Sequence, residues 1–126
     1  MKITSFNPQI ITRDAEPAVK LFEELGFEKR HQKEGIGEYK VKGIVMKHPD
    51  GFHVDISESK APIMQDLAVI RINVDDFDET YALLKSKGFE NFYGDRTADT
   101  PTSKSAIMRA PSGFVINLIQ HIKNHD

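Results

Sequence analysis

Cysteine is absent from these 126 residues. That excludes a disulfide framework, a thiolate nucleophile and a thiolate-bound metal, so any metal would need His, Asp, Glu or amide-oxygen ligands. No run approaches the ~20 apolar residues of a membrane helix, and the opening Met1-Lys2-Ile3-Thr4-Ser5-Phe6 lacks the apolar stretch of a secretory signal. A basic stripe of the kind that grips nucleic acid is missing too. The formal net charge is −2, and the short basic segment Lys29-Arg30-His31-Gln32-Lys33 has acidic flanks and reads as a solvated strand face. Neither nucleic acid nor a membrane is an expected partner, and the cytoplasm is the expected compartment. The composition, 39% hydrophobic and 29% charged, suits one compact domain with a sizeable core.

What is present is a repeat. His48-Pro49-Asp50-Gly51-Phe52-His53-Val54-Asp55-Ile56 returns as Ala110-Pro111-Ser112-Gly113-Phe114-Val115-Ile116-Asn117-Leu118, with Pro111 62 positions after Pro49 (111 − 49). The same offset pairs Asp14 with Asp76, Leu21 with Leu83, and Gly26-Phe27-Glu28 with Gly88-Phe89-Glu90, without a gap. Several landmarks in one register mean two copies of a half-domain unit. We expect a single domain over 1–126 built from repeats 1–59 and 64–122, since neither half is large enough to be stable alone.

Residues 3–12 read as a strand. Asp14 is expected to cap a helix with Pro17 in its first turn and Val19, Leu21, Phe22 and Leu25 as its apolar stripe, ended by Gly26. A strand over 27–33, a turn at Gly35 and Gly37, and a strand over 38–47 follow. Pro49-Asp50-Gly51 then turns the chain into a strand over 52–57, with Phe52, Val54 and Ile56 on one face and His53, Asp55 and Ser57 on the other. The second copy repeats the pattern: a strand over 67–74, and a helix capped by Asp75 or Asp76 with Tyr81, Leu83 and Leu84 inward. Strands over 89–93, 104–110 and 114–120 complete it. Residues 94–103 carry no apolar stripe and are expected to form a mobile loop, a candidate lid.

Two β-α-β-β-β modules, an Asp-capped helix ending in Gly-Phe, and a Pro-Asp-Gly turn before the last strand resemble the vicinal oxygen chelate superfamily of glyoxalase, the extradiol dioxygenases and the bleomycin resistance proteins. The resemblance covers nearly the whole chain. It implies an α+β fold in which two tandem βαβββ modules form a cup-shaped mixed β-sheet with helices on the outside. It also implies homodimers. In the enzymes of this superfamily a divalent metal is held at positions that become Asn7, Asp55, Val69 and Asn117. Only Asp55 is a strong ligand among these, and Val69 cannot coordinate, so no metal and no other cofactor is expected.

Strand alternation places Asn7, Gln9, Ile11 and Val69, Arg71, Asn73 on the concave face, with His53, Asp55, Ser57 and Val115, Asn117, Ile119 from the last strands. Amides within apolar walls are the materials of a small-molecule pocket. Arg71 there must have a partner. It either pairs with Asp55 or offers charge-assisted hydrogen bonds to a ligand carboxylate or phosphate. The expected ligand-binding set is Asn7, Gln9, His53, Asp55, Arg71, Asn73 and Asn117, and the expected function is metal-free sequestration of a small organic ligand, an anionic one if Arg71 takes part. One alternative is an isomerase, lyase or dioxygenase, with Gln9, His53 and Asp55 holding a metal or with His53 as catalytic base, and another is an inert remnant or interaction module whose cup is packed shut.

Overall fold

The computed structural model describes residues 1–36 and 41–122, with the backbone alone at 34–36 and 100. Gly37, the expected strand start at Glu38 with Tyr39, and His125 lie outside the described residues. The fold is mixed α+β, and the chain divides into two compact units, residues 7–68 and residues 1–6 with 69 onward.

The first module comprises β1 (Ile3–Thr12), α1 (Glu16–Glu24), β2 (Glu28–Ile36), β3 (Val41–Lys47) and β4 (His53–Glu58). Its strands lie in the order β2-β3-β4-β1, antiparallel except that β1 and β4 run parallel with Gln9 opposite Asp55. Gly35 falls inside β2 and not in a turn. One sheet face carries Ile44, Met46, Val54 and Ile56, and α1 covers it with Ala15, Ala18, Val19 and Phe22. Positions 15, 18, 19 and 22 form a single stripe at helical spacing. Leu21 and Leu25, expected in that stripe, fall off it and are 51% and 56% exposed.

The expected cap at Asp14 is also corrected. Ala15 is the N-cap residue, and its N–H donates to Glu58 Oε2 at 2.8 Å, while Asp14 Oδ1 accepts from Glu16 N at 3.2 Å. The carboxylate at the end of β4 thus satisfies the N–H of the N-cap residue itself.

The second module follows the same plan: β5 (Leu67–Val74), α2 (Phe77–Ser86), β6 (Glu90–Asn91), β7 (Ala98–Thr100), β8 (Ser103–Arg109) and β9 (Val115–His121). β5 and β9 run parallel with Arg71 opposite Asn117, the same 46-residue separation as Gln9 and Asp55 (117 − 71 and 55 − 9). The sheet buries Ala106, Met108, Ile116 and Leu118 against Phe77, Tyr81 and Leu84, whereas Leu83 points outward at 43% exposure. Met46 and its repeat equivalent Met108 are both fully buried. The two turns match as well. His48 N donates to Phe52 O and Ala110 N to Phe114 O, each at 2.8 Å, with Gly51 and Gly113 at φ of 100° and 106°. Those left-handed angles explain why glycine occupies both places.

Asp76 is the true N-cap here, accepting from Glu79 N at 3.0 Å. Gln120, the equivalent of Glu58, accepts from Phe77 N at 2.7 Å and donates through Nε2 to Asp75 O at 3.0 Å. Gln120→Ala is expected to lower the unfolding free energy by about 1–2 kcal/mol, the range of a lost helix cap. A urea midpoint equal to that of the parent would remove Gln120 from the helix start.

Where the first module has one long β2, the second has the short β6 and β7, so the loop expected over 94–103 contains a strand. β7 pairs with β8 through Thr100 opposite Ser103, leaving Pro101 and Thr102 as the turn. Edge pairing creates this strand despite the absence of apolar alternation. Asn91 pins the preceding segment, donating to Arg96 O at 2.9 Å and accepting from Tyr93 N at 3.0 Å.

Candidate functional site

Because side chains alternate along a strand, each module has one sheet face under its helix and one facing away from it. In the first module the residues facing away include Asn7, Gln9 and Ile11 on β1 and His53, Asp55 and Ser57 on β4, in parallel register. In the second they include Val69, Arg71 and Asn73 on β5 and Val115, Asn117 and Ile119 on β9. The seven expected binding residues therefore fall into two sets, four on the first module and three on the second.

Within the first set the contacts are specific. Asn7 Nδ2 donates to Asp55 Oδ2 at 2.8 Å and to Pro8 O at 2.9 Å, and Gln9 Nε2 donates to Ser57 Oγ at 2.7 Å. Asn7, Gln9 and Asp55 are about 95% buried, and His53 is half-buried two residues before Asp55. A buried carboxylate needs hydrogen bonds to its oxygens, and the Asn7 amide supplies one.

Within the second set Arg71 and Asn117 are register partners, and Asn73 lies two residues further along β5. Asn73 and Asn117 are each 8% exposed. Asn73 Oδ1 is buried and accepts no hydrogen bond from any described residue. Val69, Val115 and Ile119, all buried, surround these groups with hydrocarbon.

The donors at the metal positions of the fold do not suit a transition metal. Asp55 is the single charged ligand and already accepts from Asn7, which turns an N–H and not a lone pair toward it. Val69 offers nothing, and Asn117 a neutral amide oxygen. In the alternative set of Gln9, His53 and Asp55, Gln9 Nε2 donates to Ser57, and the atom left to ligate is the neutral amide oxygen. Among the described residues no group of three or more His, Asp or Glu is placed to hold a metal ion.

Neighbouring strands extend both faces with residues that sequence reasoning left out. Val45 stands opposite Asp55, and Ile107 and Arg109 stand opposite Asn117 and Val115. The repeat was the available signal, because β3 and β8 occupy equivalent positions in the two copies. A cleft of about 370 Å3 lies elsewhere, on the helix side of the first module beside Ala15, Val19 and Ile44.

Among the described residues no helix is long and apolar enough to cross a membrane. No curated protein matches this chain. Among solved structures, methylmalonyl-CoA epimerase from Mycobacterium tuberculosis is similar at 14% identity and a TM-score of 0.62, over 94% of this chain and 88% of that one. A Streptomyces coelicolor methylmalonyl-CoA epimerase variant, in complex with 2-nitronate-propionyl-CoA, is similar at 18% identity and a TM-score of 0.60, over 94% and 98%. Glyoxalase I from Zea mays is similar at 15% identity and a TM-score of 0.66, over 98% of this chain but 45% of that one. At such identities the likeness is one of fold. A family model described as Glyoxalase/Bleomycin resistance protein/Dioxygenase superfamily matches residues 3–118, and with the doubled β-α-β-β-β plan this establishes that the chain belongs to that superfamily.

Proposed function

We propose that this chain is a metal-free binding protein that sequesters a small organic molecule bearing an acidic group, on the sheet face turned away from the helices. The observation that carries the reading is Asn73 Oδ1, a buried acceptor without a hydrogen-bond donor among the described residues, in a patch with Arg71 and Asn117. Leaving such an atom unsatisfied costs about 1–3 kcal/mol, a penalty that a ligand N–H or O–H would offset. Arg71 adds a permanent charge and a planar fork of donors suited to carboxylate or phosphate. Asn7, Gln9, His53 and Asp55 are the corresponding polar groups of the first module. The lack of a chelating set favours binding over metal-assisted chemistry. A homodimer, as the resemblance implies, and a cytoplasmic location complete the proposal, and a solution mass of 14.3 kDa would remove the dimer.

The test is a ligand-observed NMR screen of organic carboxylates and phosphates, followed by titration of the best binder into Arg71→Ala. Loss of a charged hydrogen bond weakens affinity by about 1.5–3 kcal/mol, or roughly 10- to 150-fold. Unchanged affinity would end the role of Arg71. Sequestration also requires that the ligand be recovered intact. Its consumption by the parent and survival with His53→Gln would move the reading to catalysis with His53 as base.

A further inference from the structure

On the face of the first module turned away from α1, the middle of the sheet lacks a side chain. Gly43 holds that position on β3, between Val41 and Val45 along the strand and between Lys33 and Ser57 across it, with Ile11 beyond Ser57. Glycine weakens a strand interior, so its presence there needs a physical cause. Backbone conformation is not the cause, since Gly43 has no left-handed φ. A bulge is not the cause either: pairing with β4 is unbroken from Lys42 to Lys47, and the extra residue of the irregularity between Lys33 and Ile36 belongs to β2 (36 − 33 against 43 − 41). Crowding is excluded too, because a Cβ on Gly43 would meet nothing within 4 Å among the described residues beyond its chain neighbours. The second module carries Ser105 at the equivalent position, opposite Ile119. What remains is a notch one side chain deep, and a strand glycine that no neighbour requires marks a place where a ligand approaches the backbone.

We infer that this notch is a carboxylate subsite, taking a small organic acid whose body lies over Gly43 between Val41 and Val45. Ser57 Oγ accepts from Gln9 Nε2 at 2.7 Å and keeps its own O–H to donate to a ligand oxygen. Lys33, exposed and without an ion pair among the described residues, stands on the other side of Gly43, roughly 10 Å from Ser57 backbone to backbone. Its flexible stem brings the ammonium over the same ligand oxygens. Hydrogen bonds to a charged acceptor are the stronger kind, and the half-buried valines with Ile11 give the body an apolar surround. Asp55, two residues before Ser57 on the same face, already accepts from Asn7. The inference rests on the reading of this face as a binding surface and adds Lys33, Gly43 and Ser57 to it.

The experiment is a benzoate titration of the full chain followed by two-dimensional 1H–15N NMR, with benzamide as a neutral control of the same shape. Saturable shifts are expected at Lys33, Gly43, Val45 and Ser57, with benzoate about three- to tenfold tighter than benzamide. Gly43→Val fills the notch and is expected to abolish these shifts. Its urea midpoint is expected to equal or exceed that of the parent, since the side chain enters open space and valine favours a strand. Gly43→Ala is expected to weaken binding less. A lowered midpoint or an unfolded Gly43→Val would show that the space is already filled and overturn the subsite, as would equal affinity for benzamide or undiminished binding in the folded variant. Benzoate shifts confined to Arg71, Asn73 and Asn117 would overturn it while sustaining the acidic ligand proposed for the second module. Shifts nowhere would overturn the subsite and leave that ligand to its own screen.

Discussion

Phe77→Ala is expected to destabilise the protein by about 3–5 kcal/mol, the usual cost of removing a buried phenylalanine. The side chain is 2% exposed and belongs to the cluster of Val74, Ala106, Met108, Ile116 and Leu118. Removing it takes away the burial of the ring, its stacking on Tyr81 and the cation–ring contact with Lys104. Lys104 retains its 2.9 Å bond to Asp78, the chief cause of its raised pKa, so the charge stays satisfied and the loss is mainly one of packing. The surrounding strands are held by ladder hydrogen bonds, which limits collapse into the void. Guanidinium unfolding of the variant beside the parent measures this directly. A loss below about 1 kcal/mol would show that the second module repacks around a small side chain there, as the first module packs around Ala15.

The helix-ending glycines offer a matched pair with unequal outcomes. Gly26 and Gly88 both adopt left-handed angles, φ of 98° and 90°. An L-residue there costs about 1–2 kcal/mol from backbone crowding alone. Beyond that the sites diverge. A Cβ on Gly88 would meet Pro111 Cγ at 2.9 Å, whereas one on Gly26 would meet the His48 ring at 3.3 Å. The proline ring is tied into the backbone and cannot swing aside. The imidazole can tilt, although Phe27 and Phe52 hold it at 5.2 and 4.9 Å between ring centroids. Gly88→Ala is therefore expected to cost about 2–4 kcal/mol, adding an overpacking penalty to the backbone term, and Gly26→Ala only about 1–2 kcal/mol. Thermal unfolding of the two variants side by side decides it, and equal losses would mean that the Pro111 turn yields.

The features legible in the sequence were those that only one residue type satisfies. A left-handed turn demands glycine, so Gly26, Gly51, Gly88 and Gly113 marked boundaries in both copies. Strand alternation likewise placed Asn7, Gln9, Arg71, Asn73 and Asn117 on one kind of face. Features that depend on distant partners were hidden. Asp14 and Asp76 are the same residue at equivalent positions, yet only Asp76 is an N-cap residue, because the first helix begins one residue later in the repeat register. β7 has no sequence pattern of its own and takes its shape from β8. The hydrogen bonds from Asn7 to Asp55 and Gln9 to Ser57 depend on the β1–β4 register, which no local pattern supplies.

In each module the first strand runs parallel to the last, and the residues that pair lie 46 positions apart (55 − 9 and 117 − 71). A ribosome adding about 5–20 residues per second takes roughly 2–9 s to supply that partner. For that time the nascent β1, with Ile10 and Ile11, lacks its partner β4, and the α1 start lacks the Glu58 carboxylate. Exposed apolar strand edges of this kind are what holding chaperones recognise. The arrangement that makes the two modules alike thus also gives the chain two successive vulnerable intervals during its own synthesis.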